Sequence, residues 1–238
     1  WFINAALTPL LTKYVWLVVS SKNQLAMSQS QIVTYFLLTI VVDRLTGSWS
    51  LYKIGDQIRS GNFSNTLLKP YSYLVEVISH TLSMKFIRLA TLTPIVIGIS
   101  LLFGTKLSLN LTWMTIFQFF LAILMGFSLR FGWNILLGLF TFWLEEFHSI
   151  ENLDGLFGQV LSGGLIPIAL APPLVGYLIT YSFYRFFISF PIELILGQVS
   201  GNKIFEGFIL GILYLLMLVM LIRLIYKLGL KKYGAYGS

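Results

Sequence analysis

Apolar residues in this chain gather in long unbroken runs, without the alternation of a half-buried strand or the narrow stripe of a soluble amphipathic helix. A helix needs about 20 such residues to cross the hydrocarbon of a bilayer. Six stretches are read as spans, at about 2–20, 32–51, 87–103, 111–143, 153–170 and 204–228. The second carries Asp43 and Arg44 in its later half. The third is preceded by an amphipathic stretch holding Glu76, His80, Lys85 and Arg88, whose polar part is expected at or outside the interface. In the fourth, Arg130 falls near the depth of the far interface, so the turns beyond it should project from the membrane. The stretch 174–190 is apolar enough for a seventh span, but Arg185 lies inside it and Pro172, Pro173 and Pro191 bracket it. It is read instead as part of a re-entrant or surface-lying helical hairpin over 171–203, whose non-helical backbone needs cover from protein or a water-filled cavity.

Charge fixes the expected topology. With six spans and both termini cytoplasmic, the inside carries nine basic residues: Lys53, Arg59, Lys69, Lys85, Arg88, Arg223, Lys227, Lys231 and Lys232. The outside carries four, Lys22, Lys106, Arg185 and Lys203, which is the asymmetry of the positive-inside rule. Seven spans would put the basic tail on the wrong side. Composition agrees: 57% hydrophobic and 11% charged residues, with a mean hydropathy of +0.83, exclude a soluble globular protein. The net charge of +7 follows from the cytoplasmic loops and calls for no nucleic-acid partner. No internal repeat or soluble domain interrupts 1–238, which reads as a single transmembrane domain. The chain opens on Trp1 and not on Met, so a preceding segment is expected.

Candidate chemistry is sparse. Without cysteine there are no disulfides, thiolate metal sites or cysteine nucleophiles. No GxxxxGK[ST] run is present to cradle a nucleotide phosphate, so ATP chemistry would belong to a partner. Glu145, Glu146, His148 and Glu151 lack the HExxH order of a zinc site and read as a solvated loop between spans four and five. Glu76 and His80, four apart, are expected to make a structural contact along one helical face. Lys13, Asp43, Arg44, Arg130 and Glu206 lie within or near spans. Such groups either face a bundle interior or snorkel, and snorkelling to the interface is the expectation for each. Asp43 and Arg44 are adjacent and point to different faces. Gly207 and Gly211 form a GxxxG, a close-packing face for a helix inside the subunit or across a dimer.

The most distinctive stretch is WSLYKIGDQIRSGNFSNTLLKPYSYL, Trp49 to Leu74. Ile54 and Ile58 share one face of a short helix, Gly61 offers its stop, and Phe63, Leu67 and Leu68 add apolar anchors before Lys69 and Pro70. Beside Arg59, these anchors suit docking into a groove on another protein. A lipid-facing interfacial helix is the alternative.

At these residues the chain resembles the permease subunits of ABC-2 type ABC transporters, in the branch of uncharacterised transport-system permeases. That branch has a Trp, an Ile-x-x-Gly, and a Leu-Leu-basic-Pro followed by an aromatic and Leu. Trp49, Ile58, Gly61, Leu67, Leu68, Lys69, Pro70, Tyr73 and Leu74 match it. Ser162, Gly163, Ile166 and Pro167 match its Ser-Gly-x-x-Ile-Pro. Phe190, Pro191 and Gly197 match its Phe-Pro-x-x-x-x-x-Gly before span six. The likeness extends from span one to the basic tail. Tyr181-Ser182-Phe183 departs from the family's Leu-Pro-Phe, and the family's cytoplasmic start and elbow helix are absent.

The resemblance implies an all-α, six-span bacterial inner-membrane subunit with a cytoplasmic coupling helix within 52–70 and an external re-entrant hairpin. It would pair with a second permease, the same or divergent, and with two cytoplasmic ATPases that bind ATP and magnesium. The chain itself would hold no cofactor or metal and would have no enzymatic activity. Coupling to the ATPases would run through Ile54, Ile58, Arg59, Gly61, Phe63, Leu67, Leu68, Lys69 and Pro70. Pro167, Phe183, Phe190 and Pro191 would belong to the external gate, and the transport direction would be export. Two other classes stand beside this. A secondary transporter or channel would rest on the intramembrane charges and show proton or sodium dependence without an ATPase. A membrane-embedded lipid-modifying enzyme would need convergent acid, base and nucleophile groups, which the sequence does not bring together.

Overall fold

The computed structural model describes residues 11–12, 14–18, 27–70, 73, 75–85, 90, 109–144 and 147–233, the side chain of Leu67 excepted. Most of spans one and three lie outside the described residues, as do Lys13, Lys22, Leu74, Arg88, Lys106, Glu145 and Glu146. Among the described residues the chain is helical and no strand occurs. Helix α1 is Gln29–Thr46, α2 Ser50–Arg59, α3 Phe63–Leu67, α4 Trp113–Leu139, α5 His148–Leu161, α6 Pro173–Thr180, α7 Ser189–Ile195 and α8 Asn202–Lys232. Short 3-10 turns occupy Phe140–Phe142, Ile168–Leu170 and Phe183–Phe187, and residues 75–85 are helical.

By length and composition, two of the described helices can cross a membrane: Trp113–Phe142 and Asn202–Lys232. A third follows if α1 and α2, bent by 40° at their junction, count as one. Two boundaries differ from the sequence reading. In the second stretch the first helix ends at Thr46 and not at Leu51, because Gly47–Trp49 break it before α2. The fifth is not one helix over 153–170. It starts at His148, within the stretch read as a loop, and stops at Leu161, 14 residues or about 21 Å on, where Gly163 takes φ +79. The stretch 174–190 breaks after Thr180, so α6 and α7 are each too short to span.

Local signals explain the long helices. Ser28 caps α1 and Thr112 caps α4, each through a capping box whose side-chain oxygen accepts the N3 amide. Helices α4 and α8 run parallel and in contact, with Gly211 over Met125, Leu218 over Gly132, and Gly229 over Phe142. The Gly207–Gly211 face therefore packs inside the subunit, against Phe190, Phe186 and Met125. Two poles result. At one, the Asn110 amide donates to the Ile195 carbonyl at 2.9 Å, beside the start of α8. At the other, α2 and α3 gather the ends of α4 and α8 and the start of α5.

Between the poles, the hairpin is inserted into the bundle. The Phe186 carbonyl lies on Gly126, in the middle of α4, where a Cβ would come within 2.2 Å of that oxygen. Backbone cannot yield there. At Gly211 the nearest obstacle is the Met125 sulfur, the far end of a flexible side chain. Gly126→Ala is therefore expected to lower stability in detergent by about 1–3 kcal/mol, the usual cost of overpacking, and Gly211→Ala by clearly less. Thermal melts of the two variants check this ranking, and equal losses contradict the assigned packing.

Candidate functional site

Helix α2 is amphipathic, and its apolar face looks into the chain. Leu51, Ile54 and Ile58 are buried, with Ile54 against Gly138 and Gly55 against the Phe147 ring. Gly61, at φ +75, turns the backbone into α3. Phe63 is wholly buried within a cage of rings, with centroids 5.1 Å from Tyr73, 5.4 Å from Tyr233, 5.6 Å from Phe142 and 6.5 Å from Tyr226. Tyr233 also ties the tail to the turn: its hydroxyl donates to the Gly61 carbonyl at 2.9 Å and accepts from the Ser64 amide at 3.2 Å.

This corrects the expectation that Ile54, Ile58 and Phe63 are surface anchors awaiting a partner. The ends of α4 and α8 already cover them. Of the expected coupling residues, those exposed are Arg59, Lys69, Pro70 and Leu68, the last 85% accessible. Lys69 donates to Glu76 at 2.7 Å, and Lys53 approaches the same carboxylate at 3.3 Å. The Lys69 hydrogen bond, with Lys53 behind it, holds the Glu76 carboxyl below its ordinary range. Burial, followed by the neighbouring Glu151 carboxylate, pushes the Tyr52 hydroxyl to about 12.

Above this platform, the junction between α1 and α2, together with α2, α4 and α5, encloses a cleft of about 560 Å³ whose walls include Tyr52, Arg130, Asn134, Glu151, Asp154 and Gln159. The Arg130 guanidinium donates to Asp43 at 2.7 Å, while Arg44 comes to 4.0 Å of the other oxygen. Asp43 and Arg130 thus pair with each other inside the bundle and do not snorkel apart to an interface. Next to them the Trp133 indole donates to Asp154 at 2.6 Å, and the Tyr184 hydroxyl donates to the same oxygen. Asp154 is the residue the sequence reading missed. A single carboxylate in the fifth apolar stretch was the available signal.

The hairpin is anchored on the same network. Tyr35 donates from its hydroxyl to the Gly163 carbonyl at 2.9 Å, and the Ser189 amide donates to the Ser162 carbonyl at 3.0 Å. Of the expected gate residues, Phe190, Pro191 and Pro167 are buried in the fold, with Phe190 fixed on Gly207. Phe183 is half-buried on the Trp133 ring at 4.6 Å. Phe183 therefore adjoins the Asp154 network, and Phe190 belongs to the packing of the hairpin on α8.

A family model described as ABC-2 family transporter protein matches residues 7–237. The chain belongs to that family. No curated protein and no solved structure is significantly similar to it. As an ABC-2 permease it is an integral membrane component of a transporter. In the permease, the Asp43–Arg130 pair is a polar contact that joins α1 to α4. Its side chains are a quarter to a third exposed, so losing Arg130 should cost about 1–3 kcal/mol, less than for a wholly dry pair. Arg130→Met is expected to destabilise the permease, and adding Asp43→Asn should recover a large part of the loss. Denaturation of both single variants and the double variant checks this. Additivity within about 0.5 kcal/mol would contradict a direct pair.

Proposed function

We propose that this permease is the six-span transmembrane half of an ATP-driven exporter of the bacterial inner membrane, with α2 and α3 as its coupling element. Two separate ATPase subunits bind ATP and magnesium, and a second permease completes the pathway. Both termini and the α2–α3 pole face the cytoplasm, in keeping with the basic residues gathered there, and the hairpin faces outside.

The observation that carries this reading is the mounting of α2 and α3. One face is sunk through Ile54, Ile58 and Phe63 into the ends of α4 and α8. The opposite surface presents Arg59, Leu68 and Lys69. An element held this way passes a displacement at its exposed surface to two long helices at once. The cleft beside Asp154 is the substrate path. Helix α5, which has no buried residue and leaves Leu153, Leu156 and Phe157 exposed, is the face closed by the second permease.

The partner-facing residues can be changed without touching the core. Arg59→Glu with Leu68→Asp is expected to leave the permease folded and inserted while reducing ATPase co-purification roughly tenfold or more, since loss of one interface anchor costs above about 1 kcal/mol. Ile58→Asp is expected to destabilise the permease itself. If the double variant still transports and retains its ATPase, the coupling assignment is wrong and α2–α3 is an interfacial helix pair.

A further inference from the structure

Away from the Asp154 cleft, a second cavity of about 670 Å³ opens between the hairpin and the first turns of α8. Its walls change character with depth. Lys203 and Glu206 stand in the first turns of α8, both exposed and neither in an ion pair among the described residues. Arg185 and Glu193 lie on the hairpin wall, bonded to each other at 2.6 Å. Each still keeps one buried atom with no partner, the Arg185 Nε donor and the Glu193 Oε1 acceptor. Further along α8 the wall becomes Gly207, Ile209, Leu210 and Leu213, and Ile209 and Leu213 are more than half exposed.

Two cations and two carboxylates make the polar end neutral overall. A lone anion or a lone cation would satisfy one sign and repel the other. A head with an anionic oxygen for Lys203 and Arg185 and an N–H donor for Glu206 and Glu193 satisfies both. The apolar end needs hydrocarbon. Polar groups at the helix start and apolar wall about two turns further in follow the order of a lipid lying in one leaflet. We propose that this cavity binds a phospholipid with a primary-ammonium head, of the phosphatidylethanolamine type, in the leaflet on the hairpin's side. The inference rests on reading α8 as a span that begins at the hairpin's membrane face, and it is independent of the ATPase assignment.

The chemistry separates the close competitors. Phosphatidylcholine has the same charges but no N–H to donate to a carboxylate, and phosphatidylglycerol has no cation. The full permease, purified in mild detergent, is incubated with each lipid and with water-soluble phosphoethanolamine, and retention is read by native mass spectrometry alongside thermal midpoint. Phosphatidylethanolamine is expected to be retained roughly tenfold better than the other two lipids, the equivalent of one charge-assisted hydrogen bond. Lys203→Gln with Glu206→Gln alters only exposed side chains and should abolish that preference. No preference in the unaltered permease, or an unchanged preference in the double variant, overturns the site. Equal protection by phosphoethanolamine overturns the lipid assignment, because the tail would then contribute nothing. Failure of the underlying topology has a different signature. A Cys placed at Gln198 in this cysteine-free chain would then resist an impermeant thiol reagent in intact cells while a Cys at Asn65 reacted.

Discussion

The burial of Phe63 is the contact on which the rest of this permease depends. A phenyl ring at the tip of α3 has no reason to sit beside the last turns of α4 and α8 unless those turns supply aromatic walls, and Phe142, Tyr226, Tyr233 and Tyr73 supply them. Burying such a ring contributes about 1.5–3 kcal/mol. Edge-to-face neighbours add to that. Once the ring is seated, Ile54 and Ile58 of α2 face inward, and Gly61 takes its left-handed conformation to connect α2 with α3. The same seat brings the tail back over the turn through Tyr233.

From that pole the constraints pass inward. Because α4 and α8 are held together at their ends and again at Gly132 and Gly211, the hairpin between α5 and α8 is left only the groove beside Gly126. It enters there with two short helices and a 3-10 turn, and its backbone polar groups are met by Thr46, Ser162 and neighbouring carbonyls. The polar residues this brings together are not surface decoration. Arg130, paired with Asp43, and Asp154, bonded by Trp133 and Tyr184, border one cleft, while Arg185 and Glu193 border another. A membrane subunit that moves cargo needs polar surface at depth, and here it occurs beside the least packed helix, α5.

Much of this was legible from sequence and some was not, for physical reasons. The spans at 111–143 and 204–228 could be read because hydropathy over 20 or more residues leaves a helix as the only satisfied backbone. The family could be read from Trp49, Ile58, Gly61 and the Leu67–Pro70 ending. The fifth stretch misled because apolar composition continues through Ser162–Pro167 although Gly163 breaks the helix. Ile54, Ile58 and Phe63 misled more instructively. An apolar residue in a polar loop must be covered, but sequence does not say by what, and the cover is the chain's own helix ends. Asp154 passed unnoticed because its partners, Trp133 and Tyr184, are 21 and 30 residues away.

As a coupling element, α2 and α3 would be mounted on the ends of α4 and α8 and move with them. In this cysteine-free chain, spin labels at Asn65→Cys and Lys227→Cys report the distance between α3 and the end of α8 without interference. Measured by pulsed electron resonance in the assembled transporter, with and without a non-hydrolysable ATP analogue, that distance should be a single narrow distribution that does not change. A distribution that shifts or splits on nucleotide binding would mean that the segment hinges on the bundle, and the account of coupling through the Phe63 cage would fail.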